Sequence, residues 1–565
     1  MARDIDTIPD ITIKRIFKEA RTALSAPLPA SFYPSRPDNA TKMVAKAIRQ
    51  LGSPELHPAF ANVYARRAAK SLWPRVRKWT TLFVKRGFLE YPVTETLSNA
   101  QISILEILHR ALCIVRQAQF PFNSDQEVAP EVMVESSTFI RVTIEACLIL
   151  GNLGKPQFDT IWNEFSQCIS TEAAANLLQA DLQALRPRYD IPDICIQRLL
   201  AQLVKPQTDL YGITASALFV CICGSSAPNT FRQLLSMKVV KWIVHAMARI
   251  SMFFRQLPPE HIDRTCECLV LCCKQLVIFF EDGLSWVVEA LDNNLVSVIA
   301  RFYHLPMPYF QNSGERLVEH YATLLRAIKP YLPFRRVLNH FLREKPDRAA
   351  RNACCYVKGD HPIYEAFNEL FGCAKGLKIF KGELYAYTNL KPCSNWERCP
   401  NTVQKLNPKE GLSFKRCSGC RVAAYCSSDC QRMHWKNGHR QQCKGLQHSS
   451  NGFCEPLSRL DEAFIIALAE NEVILRPAEI AKGPLDAVVY IDYRKGPVKP
   501  EIFMIQMPPD GDSQLANIIK EKLAVHVILP GVARDGGQNL VGYTQNRPTL
   551  DSPSKGRPLQ VEEID

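Results

Sequence analysis

Between Cys393 and Cys443 the chain carries four pairs of soft metal ligands: Cys393-x5-Cys399, Cys417-x2-Cys420, Cys426-x3-Cys430 and His439-x3-Cys443. A structural zinc site takes four nitrogen or sulfur ligands in a tetrahedron, so seven Cys and one His match two closed sites, one Zn2+ each. Large apolar residues are few in this stretch, chiefly Trp396, Leu412, Phe414, Tyr425, Met433 and Trp435. So small a segment cannot bury a self-sufficient core from so little. Metal binding is expected to supply the missing stability, on the order of 10 to 16 kcal/mol for structural zinc in comparable peptides.

The order Cys417-Ser-Gly-Cys420, Tyr425-Cys-Ser-Ser-Asp-Cys430-Gln, His434-Trp435 and Gly438-His439 followed by Cys443 resembles a MYND-type zinc finger. The resemblance covers roughly a tenth of the chain. It departs at the start, where five residues rather than two separate the first pair and the spacer from Pro400 to Arg416 is longer than usual. The resemblance implies a cross-braced arrangement, with Cys393, Cys399, Cys426 and Cys430 on one zinc and Cys417, Cys420, His439 and Cys443 on the other; spacing alone leaves the pairing open. It also implies a peptide surface. Family members that capture proline-rich peptides use a Ser in the second Cys pair, a Gln after the sixth ligand and a Trp four residues on, and Ser418, Gln431 and Trp435 stand at those positions. The alternative use of Trp435 is packing on the second zinc site. His434 is expected on the outer side of a helix rather than as a ligand, and His448 and Cys454 in a loop.

Disulfides would be the other use of so many sulfurs, but they need an export signal. Met1 to Glu19 has Asp4, Asp6 and Asp10 and no apolar run, so an intracellular protein of the nucleus or cytoplasm, not secreted, is expected. Of the other fourteen of the 21 cysteines many, such as Cys113, Cys147, Cys221, Cys223, Cys268 and Cys272, sit in apolar company and read as reduced core thiols. No apolar run approaches the 18 or so residues that span a bilayer, so no membrane association is expected. Around the finger nine Lys and Arg face three acids. Nucleic-acid binding is the weaker reading of that excess, because no stretch shows the spaced contact helix of a DNA-reading finger.

The 565 residues, 47% hydrophobic and 22% charged, should hold two to four domains of a mainly α protein. Residues 1–42 form an N-terminal segment and linker, with a short helix over Ile11 to Leu24. Residues 43–388 are a large α-helical array, apolar residues recurring at three and four between Pro and Gly breaks. Trp242-Ile-Val-His-Ala-Met and Trp286-Val-Val-Glu-Ala-Leu stand 286 − 242 = 44 residues apart, a spacing of armadillo or HEAT units; an irregular helical bundle fits the local patterns as well. Tyr364 to Phe371 ends the array. The finger occupies 389–446. Residues 455–545 describe a small C-terminal α+β domain: a helix over Leu457 to Asn471, strands over Ala487 to Tyr493, Ile502 to Met507, Val525 to Leu529 and Leu540 to Thr544, and a helix over Ser513 to Ala524. Residues 546–565 are a polar tail expected to be disordered.

Signatures of catalysis are missing from the sequence. There is no G-x-S-x-G, H-E-x-x-H, G-x-x-x-x-G-K-[ST] or G-x-G-x-x-G. MYND fingers also occur inside SET-domain lysine methyltransferases, but the Asn-His-Ser-Cys segment and the acidic-aromatic stretch ending in a catalytic Tyr are not found, Asp492-Tyr493 being the nearest echo. Zinc saturated by protein ligands cannot activate water. The expectation is therefore a non-enzymatic protein-protein interaction scaffold or adaptor whose finger docks a proline-rich partner peptide, in a setting such as transcriptional regulation. A cryptic methyltransferase without a familiar motif is the alternative.

Overall fold

A computed structural model describes residues 10–29, 32, 34, 37–61, 63–91, 96–117, 130–168, 172–226, 228–303, 313–343, 362–387, 393–395, 398–399, 415–420, 423–444, 459–476, 479–480, 487–497, 500–506, 523–532 and 538–545. The protein is mainly α-helical. Its backbone divides into two compact units, Met1–Phe253 and Phe254–Asp565, and the division falls inside the helical stretch 43–388.

The first unit contains α1 (Asp10–Leu24), α2 (Asn39–Leu51), α3 (Val63–Val84), α4 (Asn99–Gln117), α5 (Pro130–Asn152), α6 (Gln157–Cys168), α7 (Glu172–Leu185), α8 (Ile191–Leu203), α9 (Leu210–Ser226), α10 (Pro228–Ser236) and α11 (Val239–Phe253). Local chemistry sets several of these ends. Asp38 caps α2 by accepting from the Thr41 amide at 2.6 Å, and Asp190 caps α8 by accepting from Asp193 at 3.2 Å. Pro192 and Pro228 stand in the first turns of α8 and α10, where a missing N–H costs nothing, so these two prolines begin helices. Gly154, at φ +64°, ends α5: its own N–H bonds to Gly151 and that of Lys155 reaches back to Leu150 at 2.9 Å, the paired bonds of a Schellman stop.

Each helix of this unit rests chiefly on helices one to three places away in the chain: α1 on α2 and α3, α3 on α4 and α5, α4 on α6, α6 and α8 on α9. That succession of local contacts is how stacked helical arrays are built. At the α6, α8 and α9 junction Phe158 stacks on Trp162 with ring centroids 6.2 Å apart, and Trp162 meets Phe219 edge-on at 4.6 Å. Arg198 lies over the Phe158 ring at 4.6 Å and donates to Asp159 at 2.6 Å, while Gln202 donates to the other Asp159 oxygen at 2.8 Å. Arg198 is 4% exposed. Burial pushes the Asp159 carboxyl up more strongly than Arg198 draws it down, so the ion pair is held at a desolvation cost.

The second unit opens with α12 (Pro259–Asp282), α13 (Leu284–Asp292), α14 (Leu295–Tyr303), α15 (Ser313–Ile328), α16 (Arg335–Arg343) and α17 (Pro362–Tyr387). The expected helix over Tyr364 to Phe371 is thus only the first part of a 26-residue helix, because no Gly or Pro strong enough to stop it occurs before Tyr387. α15 packs on both α12 and α17, and Cys266, Cys268, Cys272 and Cys273 of α12 are buried in that packing. Trp242 lies on α11 and Trp286 on α13, one in each unit.

Beyond the finger, α19 (Arg459–Leu475) precedes the strands β3 (Ala487–Asp492), β4 (Glu501–Gln506), β5 (Leu523–Val532) and β6 (Gln538–Gln545). They form one mixed sheet in the order β4-β3-β5-β6, with β3 and β5 parallel and the outer pairs antiparallel. The sheet is fastened to the helices of its own unit. Asp461 of α19 accepts from the Arg335 amide at the start of α16 at 2.9 Å, and Arg476 donates to the Pro500 carbonyl at 3.2 Å. Residues 455–545 are in this way joined to the helices, with the hydrophobic faces of α19 (Phe464, Ile465, Leu468) and β5 (Val525, Val527, Leu529) buried. The expected helix over Ser513 to Ala524 lies outside the described residues up to 522, and Leu523 and Ala524 already belong to β5. The tail 546–565 also lies outside them.

Replacing Arg198 with Met should leave Asp159 as an uncompensated buried carboxylate and destabilise the first unit by about 3 to 5 kcal/mol. Urea denaturation followed by circular dichroism would register the loss. Adding Asp159→Asn should recover much of it, since no lone charge then remains.

Candidate metal centre

The finger is assembled from three short pieces of regular structure: β1 (Lys415–Arg416), β2 (Ala424–Tyr425) and α18 (Ser428–His434), the last continuing through a wider turn at Trp435–His439 into helical residues 440–444. β1 and β2 pair antiparallel, and the Cys417 amide donates to the Ala423 carbonyl at 2.8 Å, closing a knuckle that presents Cys417 and Cys420 together. Ser394 clamps the preceding segment onto β2: its amide donates to the Ala424 carbonyl at 2.8 Å and its hydroxyl accepts from the Ala424 amide at 3.0 Å. Cys393 is thereby fixed beside the strand leading to Cys426. Ser427 caps α18 by accepting from the Cys430 amide at 3.1 Å, which orients the next ligand.

After Trp435 the chain has to turn inward for its last two ligands. Asn437 leaves helical geometry and Gly438 takes φ +118°, a conformation that side-chain-bearing residues rarely adopt. This kink brings His439 and Cys443, both buried, to Cys417 and Cys420.

The eight ligands fall into two groups. Cys393, Cys399, Cys426 and Cys430 form one, and Cys417, Cys420, His439 and Cys443 the other, the donor atoms of each lying within 4.8 Å of one another. The pairs therefore interleave along the chain. Sulfurs on the corners of a zinc tetrahedron with bonds of about 2.3 Å stand about 3.7 to 3.8 Å apart. In the first group the separations are 3.4 Å (Cys399 to Cys426), 3.5 Å (Cys426 to Cys430) and 3.6 Å (Cys399 to Cys430). In the second they are 3.8 Å (Cys417 to Cys443) and 3.6 Å (Cys420 Sγ to His439 Nε2). These fit an ion at the centre of each group, and they are far from the sulfur bond of about 2.05 Å that disulfides would require.

Electrostatics prepare the donors unequally. Burial pushes the thiols of Cys393 and Cys443 up to about 11. Burial acts the same way on Cys417, but hydrogen bonds from the amides of Cys420 and Gly419, together with those from the Cys443 and Cys420 side chains, outweigh it and hold this thiol below its ordinary value. Burial, aided by His434, lowers His439, so its imidazole is neutral at pH 7 and has a lone pair to offer. A divalent ion would complete the set by drawing the remaining protons off the sulfurs.

His434 is no member of either group. It stacks on His439 with ring centroids 4.9 Å apart, and its Nδ1 is 3.0 Å from the Tyr425 hydroxyl, bracing the ligand from outside. Ser418 is exposed in the knuckle, and Gln431 is half-buried on α18. Trp435 is 41% exposed and touches His439 edge-on at 5.8 Å, so it both leans on the second group and offers surface. Ser394, Ser427 and Gly438 take supporting roles here that spacing and resemblance do not assign to them. The serine three residues before Cys430 is a legible cap signal; the role of Ser394 needs a partner 30 residues away. His448 and Cys454 lie outside the described residues.

With this geometry in place, the family match is decisive. Residues 397–443 are a MYND finger. The match begins at Glu397, so Cys393 precedes it, yet the structure groups Cys393 with Cys399, Cys426 and Cys430. Similar proteins share only short segments. A SET and MYND domain-containing protein of Dictyostelium discoideum is 43% identical over 72 residues, which are 13% of this chain and 13% of that protein. Ubiquitin carboxyl-terminal hydrolase 19 of Arabidopsis thaliana is 36% identical over 70 residues, 12% of this chain and 10% of that enzyme. Programmed cell death protein 2 of Mus musculus is 26% identical over 120 residues, 19% of this chain and 35% of that protein. The chain thus spans from a tenth to about a third of the length of these relatives.

Two substitutions separate the halves of the MYND finger. Cys430→Ser and Cys417→Ser should each lower the metal content of the purified chain by one ion, counted by inductively coupled plasma mass spectrometry. A chelator that strips both ions should open residues 415–444 to trypsin while the far-ultraviolet helical signal stays largely intact, because the long helices lie elsewhere.

Proposed function

We propose that this protein is a non-enzymatic interaction scaffold in which the MYND finger, folded around two Zn2+ ions, docks a proline-rich segment of a partner protein. Trp435 carries the reading. A Trp in a segment so short of apolar residues would serve stability best if buried, yet its ring is exposed, four residues beyond Gln431 on the same helical face. A proline ring packs on a flat indole, and the Gln431 amide supplies a donor and an acceptor for extended backbone. Ser418 in the neighbouring knuckle adds a hydroxyl. MYND fingers are protein-interaction modules in general, which supports the coarse reading; the proline-rich ligand is the finer proposal. Zinc suits donor sets of four sulfurs and of three sulfurs with one imidazole.

The large helical units suit the same role, since arrays of stacked helices present broad surfaces to partners. A short peptide contributes modest affinity, and a second contact on the helices would raise it through effective concentration. No helix among the described residues is long and apolar enough to cross a membrane.

The relatives supply the competing reading, that of a methyltransferase, through the Dictyostelium protein with SET and MYND domains. Two features weigh against it. The matched 72 residues are of the size of a finger and its flanks, not of an enzyme. Asp492 and Tyr493, the nearest echo of a catalytic acidic-aromatic pair, are engaged otherwise: Asp492 accepts a two-pronged bond from Arg494 at 2.6 and 2.9 Å, and Tyr493 is 1% exposed. Transfer of label from S-adenosylmethionine to protein substrates would decide for the enzyme.

Trp435→Ala combined with Gln431→Ala should weaken binding of proline-rich peptides by more than about 30-fold, the loss expected on removing an aromatic hot spot worth about 2 kcal/mol. Fluorescence anisotropy measures the affinity, and an unchanged metal content in the same sample shows that the fold has survived.

A further inference from the structure

Among the described residues outside the MYND finger, one more group of metal-ligating side chains comes together, in the first unit. His109 and Cys113 lie four residues apart on α4 and so share one face of that helix. Glu164 lies on α6, which packs against α4. One donor atom from each, an imidazole nitrogen, the Cys113 sulfur and a Glu164 carboxylate oxygen, lies within 4.8 Å of the other two.

We propose that His109, Cys113 and Glu164 form a third metal site, for a single divalent ion of the zinc class, which cross-links α4 to α6. His109 Nε2 and Cys113 Sγ are 3.6 Å apart, the same separation as between His439 Nε2 and Cys420 Sγ in the second finger site. Ligand bonds of about 2.0 Å to nitrogen and 2.3 Å to sulfur, meeting at a tetrahedral angle, put these atoms about 3.5 to 3.6 Å apart. One nitrogen, one sulfur and one oxygen donor form a borderline set that suits zinc better than magnesium or calcium, which prefer oxygen alone.

Charge favours the same assignment. Cys113 is 3% and Glu164 7% exposed. A buried thiolate and a buried carboxylate together carry two negative charges, which a divalent ion neutralises in place. His109 is half-buried, so the group is reachable from solvent on that side. Three protein ligands leave a fourth corner for water or an outside donor, in contrast to the two closed sites of the finger. The competing account is a plain thiol-imidazole hydrogen bond between Cys113 and His109, with the carboxylate held by other neighbours.

The test uses the full chain with the finger silenced by Cys393→Ser, Cys399→Ser, Cys417→Ser and Cys420→Ser, dialysed against micromolar zinc and then buffer. One ion per chain should remain, and it should disappear when Cys113→Ala or Glu164→Gln is added, with helical content unchanged by circular dichroism. Cobalt in place of zinc should give the charge-transfer band of a single thiolate ligand, absent in the Cys113→Ala chain. A silenced chain that folds but holds no ion, or one that keeps its ion after Cys113→Ala, overturns the proposal. Should the silenced chain not fold, the unmodified protein decides: three ions falling to two with Cys113→Ala supports the site, and an unchanged count refutes it.

Discussion

Coordination of soft ligands is the constraint on which the MYND finger rests. Its pieces of regular structure are a two-residue hairpin and two short helical turns, none able to persist alone in water. What joins them is a set of eight donors collected in two interleaved groups, so that each ion would tie together chain segments the other does not. Interleaving matters physically. Two consecutive sites would leave two independent loops free to move, whereas crossed sites make each loop's position depend on both ions.

That arrangement also releases the aromatic residues from their usual task. In a domain held by a hydrophobic core Trp435 would be buried for stability. In one held by metal, Tyr425 is fully buried in the finger with Ala423 and Met433 packed in the same cluster, and Trp435 can lean on His439 while turning much of its ring outward. A surface aromatic on a rigid frame is what peptide docking needs. In the proposed reading, stability and binding draw on different residues of the same short stretch.

The helical units follow the opposite logic. Their stability comes from apolar burial and from aromatic clusters such as Phe158, Trp162 and Phe219, and the buried carboxylate of Asp159 is matched by Arg198 and Gln202. The buried cysteines are mostly of this kind, and burial raises the thiols of Cys266 and Cys373 to about 12, which keeps them protonated. Cys113 is set apart from them by its neighbours rather than by its own surroundings in the sequence.

Much of this was legible from the order of residues. Ligand spacing identified the metal-binding segment because coordination chemistry fixes both the residue types and the short distances between them, and helical periodicity with Pro and Gly breaks marked the array because both are local properties of the backbone. The four strands near the C-terminus were legible for the same reason. Tertiary structure decided what depends on contacts between distant residues: which cysteine joins which group, the division at Phe253, the parallel pairing of β3 with β5, and the meeting of His109 and Cys113 with Glu164 across two helices. No spacing rule reaches across 51 residues of chain from Cys113 to Glu164, since only the packing of α4 on α6 brings them together.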